Sequence, residues 1–232
     1  MSRKAMVFGS RLSPFVEKVI RALALKAIDF ELVPPRGPRD FSRWNPQTKK
    51  MPVLEIDGER VYDSTFILRR LDELIPEPPL IAGDDGTAAA QRHLEDWADE
   101  SLYWYGMALR WKAKNMRATS AQILATLPAG VRAIASLILP RQIRATTLAQ
   151  GLGRLPDEVL VGELARHLDD LVTILGEHPF FYGDRPSVAD LAIYGQFHML
   201  CSGPTPEAAA LISGRWALVS HMGRVEAMAK IP

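Results

Sequence analysis

The sequence predicts a small α/β unit followed by an all-helical unit. Short apolar runs of strand length alternate with helical periodicity over the first 75 residues. A stretch rich in Pro and Gly then breaks the pattern. After Thr87 the periodicity is helical throughout.

Lys4 to Phe8 is short and apolar and is followed by Gly9, which predicts a buried strand. Pro14 to Lys26 places Phe15, Val19, Ile20 and Leu23 at helical spacing, with Ala27 just beyond. Ser13 is a natural N-cap there, and Pro14 suits the first helical position. Phe30 to Val33 predicts a second strand, and Pro34, Pro35, Gly37 and Pro38 then make a loop. Pro52 to Ile56 and Glu59 to Tyr62 flank Asp57-Gly58, the signature of a hairpin. Ser64 to Leu74 predicts an amphipathic helix with Phe66, Ile67, Leu71 and Leu74 inward. The order is thus βαβ, hairpin, helix.

Pro76-Glu77-Pro78-Pro79 and Gly83-Asp84-Asp85-Gly86 mark a linker, which sets the units at residues 1–78 and 87–232. Ala88 to Lys114 reads as one long continuous helix. Leu160 to Leu175, Val188 to Leu200 and Trp216 to Ala229 read as further helices. Pro128 to Leu155 mixes arginines, apolar residues and breakers, and is expected to form two short helices.

The composition is that of an ordinary globular chain, 47% apolar and 24% charged. Its 28 basic and 27 acidic side chains give no reason to expect a nucleic-acid or membrane-surface partner. A single cysteine, Cys201, allows neither an internal disulfide nor a CxxC redox pair and suits the cytoplasm. The opening residues lack the apolar core of a signal peptide. The longest apolar stretch, Val131 to Leu139, is interrupted by Arg132 and is too short to span a bilayer. The five histidines show no metal-ligand spacing, so no metal is expected.

Three short motifs carry the functional signal: Ser13-Pro14-Phe15 with Lys18-Val19, Asn45-Pro46 through Lys50-Met51-Pro52-Val53-Leu54, and Asp63-Ser64. In this order and spacing they resemble the tau-class and related bacterial enzymes of the cytosolic glutathione transferase superfamily. The resemblance implies a thioredoxin-like N-terminal domain that binds glutathione as co-substrate. It also implies an all-α C-terminal domain that covers a small hydrophobic electrophile, in a homodimer.

On that resemblance Ser13 would stabilise the glutathione thiolate; by pattern alone it is an N-cap serine, and Ser10 is a rival hydroxyl. Met51-Pro52 would be a cis-proline whose preceding residue pairs its backbone with the cysteinyl group. Asp63 would meet the ligand's amino group and Ser64 its γ-glutamyl carboxylate. Lys50 would meet the glycyl carboxylate, with Lys49 as substitute. The family's second lysine, upstream of the Asn-Pro pair, has no clear match, and Arg39 is the available alternative.

Trp97, Trp104 and Trp111 recur every seven residues, a spacing more typical of core or helix interface than of a substrate wall. Tyr103, Tyr105 and Arg110 are the pocket candidates beside them. Ser187-Val188-Ala189-Asp190 has the pattern of a capping box, a folding feature. Cys201 is expected to be a buried small hydrophobe.

The helical half carries a second resemblance. Leu102-Tyr103-Trp104, Gln150-Gly151-Leu152-Gly153-Arg154 and Pro179-Phe180-Phe181-Tyr182-Gly183-Asp184 are similar to failed axon connections and metaxin-like proteins. These share the two-domain fold, and the likeness implies a non-catalytic binding or interaction protein as the alternative. A thiol oxidoreductase would need a cysteine near the first helix, where the sequence has Ser13.

Overall fold

The structure, a computed structural model, describes residues 4–231. Strands β1 (Lys4–Phe8), β2 (Asp29–Val33), β3 (Val53–Ile56) and β4 (Glu59–Tyr62) form one sheet in the order β2-β1-β3-β4. β1 and β2 pair in parallel across helix α1 (Pro14–Leu25), as a βαβ crossover requires. β1 and β3 pair antiparallel, and β3 and β4 form the hairpin closed by Asp57 and Gly58, both at positive φ. Helix α3 (Ser64–Leu74) follows the hairpin.

Two features of this half depart from expectation. Pro38–Trp44 forms a short helix, α2, inside the segment expected to be a loop. Pro38 occupies its first turn, where a missing N–H costs nothing, and buried Trp44 packs on Phe8 and Phe41. On α3, Ile67, Leu68 and Leu71 face inward, but Phe66 is 58% exposed beneath Arg69. One helical step of about 100° separates Phe66 from Ile67, enough to turn it out of the apolar stripe.

The linker is a packed strap. Its Leu80 is buried, with its N–H donated to Asp72 and its carbonyl accepting from Val188. Lys26 Nζ holds the same corner by donating to Asp72 and to the carbonyls of Ile75 and Pro78.

The helical half comprises α4 (Asp85–Trp97), α5 (Tyr103–Arg110), α6 (Ala113–Ala125), α7 (Ala129–Gln150), α8 (Asp157–Leu175), α9 (Val188–Ser202), α10 (Pro206–Ser213) and α11 (Trp216–Met228). The expected continuous helix from Ala88 to Lys114 is divided. Ala98–Leu102 is a π-helical turn between α4 and α5, and the helix ends at Arg110. The wider turn breaks the heptad register, so Trp97 packs on the helical core while Trp111 faces the other domain's side. Pro128 to Leu155, expected as two short helices, forms the single 22-residue α7 and a 3₁₀ turn at Leu152–Arg154. Pro140 lies inside α7, and Gly151 at φ 119° ends it.

α9 is the buried centre of this half. Its capping box is formed: Ser187 and Asp190 satisfy each other's end of the helix, and Asp190 also accepts from Phe181 N–H and His221 Nε2 at 2.8 Å. α9 packs against α1. Gly195 makes that contact possible, because a Cβ there would lie 2.3 Å from the Pro14 carbonyl oxygen. Cys201, expected to be buried, is exposed at the end of α9, beyond the last inward turn.

Candidate active site: two clefts meeting at the start of α1

A polar cleft of about 610 Å³ opens between the sheet half and the π turn. On one side stand Lys50, Met51 and Pro52, with the Met51–Pro52 bond cis. Asn45 shapes this loop from within: its amide donates to Thr48 Oγ1 and the Lys50 carbonyl and accepts from the Thr48 N–H. Lys50 lines the cleft, whereas Lys49, at φ 56°, does not.

The floor is the start of α3. Asp63 is its N-cap, accepting from the Thr65 N–H at 2.9 Å, and Ser64 is buried beside it. Asp63 holds φ 73°, uncommon for a residue with a side chain and a frequent mark of binding sites. The helix start directs free N–H groups and positive potential into the cleft, a setting for a carboxylate.

The far wall comes from the helical half. Asp96, Asp99 and Glu100 line it, and sequence reasoning missed all three. Asp99 sits in the π turn and is tied to the sheet half by a buried network. Lys18 Nζ lies 2.5 Å from Asp99 Oδ2 and 2.6 Å from Glu95 Oε1, and it reaches Thr65 Oγ1 at 3.3 Å. Burial acts to lower the lysine's pKa, but the two carboxylates outweigh it and the net direction is up. One lysine serves two carboxylates, and burial pushes Asp99 up to about 6. Asp99 Oδ1 is buried and has no partner among the described residues. The visible signal was a lysine at a buried position of α1, which must find carboxylates elsewhere in the chain.

A second, apolar cleft of about 450 Å³ lies on the other side of the α1 start. Ser13, Tyr103 and Arg110 line it, together with Trp111 and the inner face of α7 at Val131, Ala135, Leu139 and Ile143. Burial lowers the pKa of Arg110, which donates to Gln122. Tyr105 is not in this cleft. It lies in the helical core, its hydroxyl against His167 Nε2 at 3.3 Å, because it points about 200° round α5 from Tyr103. Arg39 is also elsewhere, on a surface groove beside α7, while Arg69 lines the polar cleft.

Phe15 and Met51 line both clefts, so the two cavities meet there. Ser13 stands at this junction as the N-cap of α1, yet its side chain makes no cap hydrogen bond. Ser10, which also lines the apolar cleft, accepts from the Leu12 N–H at 3.3 Å.

A four-stranded βαβ–ββα unit joined to a helical bundle, with a polar cleft beside an apolar one, defines a thioredoxin-like fold carrying an all-α second domain. Family comparison makes the class specific. The glutathione S-transferase N-terminal domain matches residues 7–79, and the glutathione S-transferase C-terminal domain matches residues 164–225. The chain belongs to the cytosolic glutathione transferase superfamily, whose members use glutathione as co-substrate. A Zea mays glutathione transferase is 37% identical over 105 residues, 42% of this chain and 47% of that protein. The isoprene-epoxide glutathione S-transferase of a Rhodococcus strain is 25% identical, over 83% of this chain and 82% of its own. A glutathione S-transferase of Methylobacterium radiotolerans, solved with glutathione sulfonate, superposes with a TM-score of 0.60 at 26% identity. That likeness covers 97% of this chain and 91% of that one. The chain spans about half the length, or less, of several of the curated relatives it matches.

Proposed function

We propose that the protein is a glutathione transferase that joins the glutathione thiolate to a small hydrophobic electrophile. The observation that carries this reading is the meeting of a polar and an apolar cleft at Phe15 and Met51, with the uncommitted Ser13 hydroxyl beside them. The polar cleft offers a group for each end of the tripeptide. Asp63 and Asp99 face the γ-glutamyl ammonium, and the Ser64 helix start faces its carboxylate. The Met51 backbone faces the cysteinyl unit, and Lys50 faces the glycyl carboxylate.

The chemistry needed is thiol ionisation. A thiol of pKa about 8.5 is mostly protonated at neutral pH, and only the thiolate attacks. Lowering that pKa by two units takes about 2.7 kcal/mol of preferential thiolate stabilisation. A hydrogen bond donated to the anion supplies roughly 1.5–3 kcal/mol. The positive end of α1 adds about 0.3–1 kcal/mol. Ser13 combines both effects: it caps α1, and its proton is free to point at sulfur because the hydroxyl is not engaged with the helix. The thiolate then attacks the electrophile held against Tyr103 and Trp111, and the leaving group or opened ring takes the displaced electron pair.

On the same reading the protein works as a cytoplasmic homodimer in detoxification. Light scattering at twice the chain mass is the expected result. Calorimetry with glutathione, and conjugation assays on wild type and Ser13→Ala, test the core of the proposal. Absence of glutathione binding at millimolar ligand would instead favour a non-catalytic binding module. Unchanged turnover in Ser13→Ala would remove the serine from its role.

A further inference from the structure

The even charge balance of the chain conceals a segregation. Between Glu100 and Asp157 there is no acidic residue, while eight of the 28 basic side chains fall there. The rest of the chain is correspondingly acidic. Most of this basic segment is α6 and α7, and α7 carries two adjoining apolar faces, which meet along a groove where Ile134 and Ile138 stand with Val131, Ala135 and Leu139.

The inner side of α7 lines the apolar cleft. The outer side carries Ile134, Leu137 and Ile138, which are 64%, 64% and 55% exposed. Arg141 and Arg144 continue that outer face at helical spacing from Leu137. Arg154, just beyond the helix end, donates to the Leu148 carbonyl and extends the patch. None of these three arginines pairs with a carboxylate among the described residues, and Arg141 donates only to the Leu137 carbonyl. A helix on a protein surface ordinarily turns polar side chains of both signs outward. This one turns out no acidic side chain: apart from Ser136, Gln142, Thr146 and Gln150, its exposed positions are aliphatic or cationic.

The chemistry of the face selects its occupant. A second copy docked through the same patch about a two-fold axis would bring arginines against arginines. A nucleic acid would supply phosphates but leave the three aliphatic side chains uncovered, and α7 has no aromatic ring for a base to stack on. A membrane surface bearing anionic lipids satisfies both halves of the patch. Phosphates take the arginines, and the boundary of the acyl chains takes the aliphatic groups. At 22 residues α7 is about 33 Å long, and no helix among the described residues is long and apolar enough to cross a membrane.

We propose that α7 is an in-plane docking helix for an anionic membrane surface, with Ile134, Leu137 and Ile138 entering the interface and Arg141, Arg144 and Arg154 holding lipid phosphates. The adjoining face of the same helix walls the apolar cleft, so docking places that cleft beside the bilayer surface. The proposal does not depend on glutathione chemistry.

The test is co-sedimentation of the full chain with phosphatidylcholine vesicles, with and without phosphatidylglycerol. The expected result is binding only to the anionic vesicles, weakening as salt is raised. The variant Arg141→Gln/Arg144→Gln/Arg154→Gln is expected to lower partitioning about a hundredfold, at about fivefold per basic residue. Ile134→Ser/Leu137→Ser/Ile138→Ser is expected to abolish the salt-resistant part. Hydrogen exchange on the wild type needs no variant, and anionic vesicles are expected to slow exchange across residues 129–150. A wild type that stays in the supernatant with anionic vesicles overturns the proposal, as does binding that neither variant weakens. So does a serine variant that converts a dimer to a monomer, which would make the face a subunit interface.

Discussion

The two clefts are built by different means. The polar cleft is assembled mainly from short motifs, at residues 45–52 and 63–65, each fixed by hydrogen bonds within a few residues. The apolar cleft is assembled from α1, α5, α6, α7 and α9, whose lining residues lie up to 189 positions apart, from Ser10 to Met199. Local determinants make the first rigid and specific. Long-range packing leaves the second free to vary in shape without disturbing the first.

Lys18 is the long-range exception in the polar cleft, where it ties the wall at Asp99 to the sheet half, and removing it should produce the largest effect. Lys18→Met would leave Glu95 and Asp99 buried without their counter-charge. A loss of about 3–5 kcal/mol in urea unfolding is expected. A loss below about 1 kcal/mol, the range of an exposed pair, would show that the network does not bind the halves together.

Ser13→Ala should lower conjugation turnover roughly tenfold to a hundredfold, matching the loss of one hydrogen bond to an anion. Ser10→Ala should change it little. The reverse order would move the thiol to Ser10.

The titration of Asp99 gives a smaller and signed effect. Its pKa in the fold, about 6, lies above the ordinary 3.8, so between these values the folded protein holds the proton more tightly than the unfolded chain. Stability should therefore fall as pH rises from about 4 to 6, and Asp99→Asn should remove that slope. The carboxylate is the form that attracts an ammonium, so glutathione affinity should rise severalfold from pH 5 to 7. A flat profile for wild type in calorimetry would sink the pairing.

The smallest effect separates the clefts most cleanly. Leu139→Ala should raise the acceptor KM a fewfold while leaving glutathione affinity unchanged. Tyr105→Phe should alter neither, because that ring belongs to the helical core.

The same contrast explains what could be read from the chain alone. The order of the four strands, the hairpin and the helices Pro14–Leu25 and Ser64–Leu74 follow from local pattern, and the sequence reading reached them, while the short α2 escaped it. The Met51–Pro52 isomer came through family likeness, not through any local signal. Asp99 and Glu100 were missed because a π turn, invisible to 3.6-residue periodicity, carries them, and Asp96 because it stands at the end of α4 just before that turn. Tyr105 was misplaced for the related reason that proximity in sequence to Tyr103 does not mean a shared face. The basic stretch around Pro140 was read as broken because proline and arginine were taken as interruptions. Pro140 is half-buried, but a helix with solvent on one side can leave the carbonyl that a proline frees to water.

Gly195 has a consequence for anyone recombining this protein with its relatives. The absent side chain sets how near α9 can approach the residue that precedes Phe15, and so fixes the seat of Ser13 from outside its own domain. A chimera that grafts another sheet half onto this bundle inherits a seam with no room for a single methyl group. Reassembled enzymes with alanine at this position should fold, bind glutathione through the intact local motifs and yet misaim the sulfur.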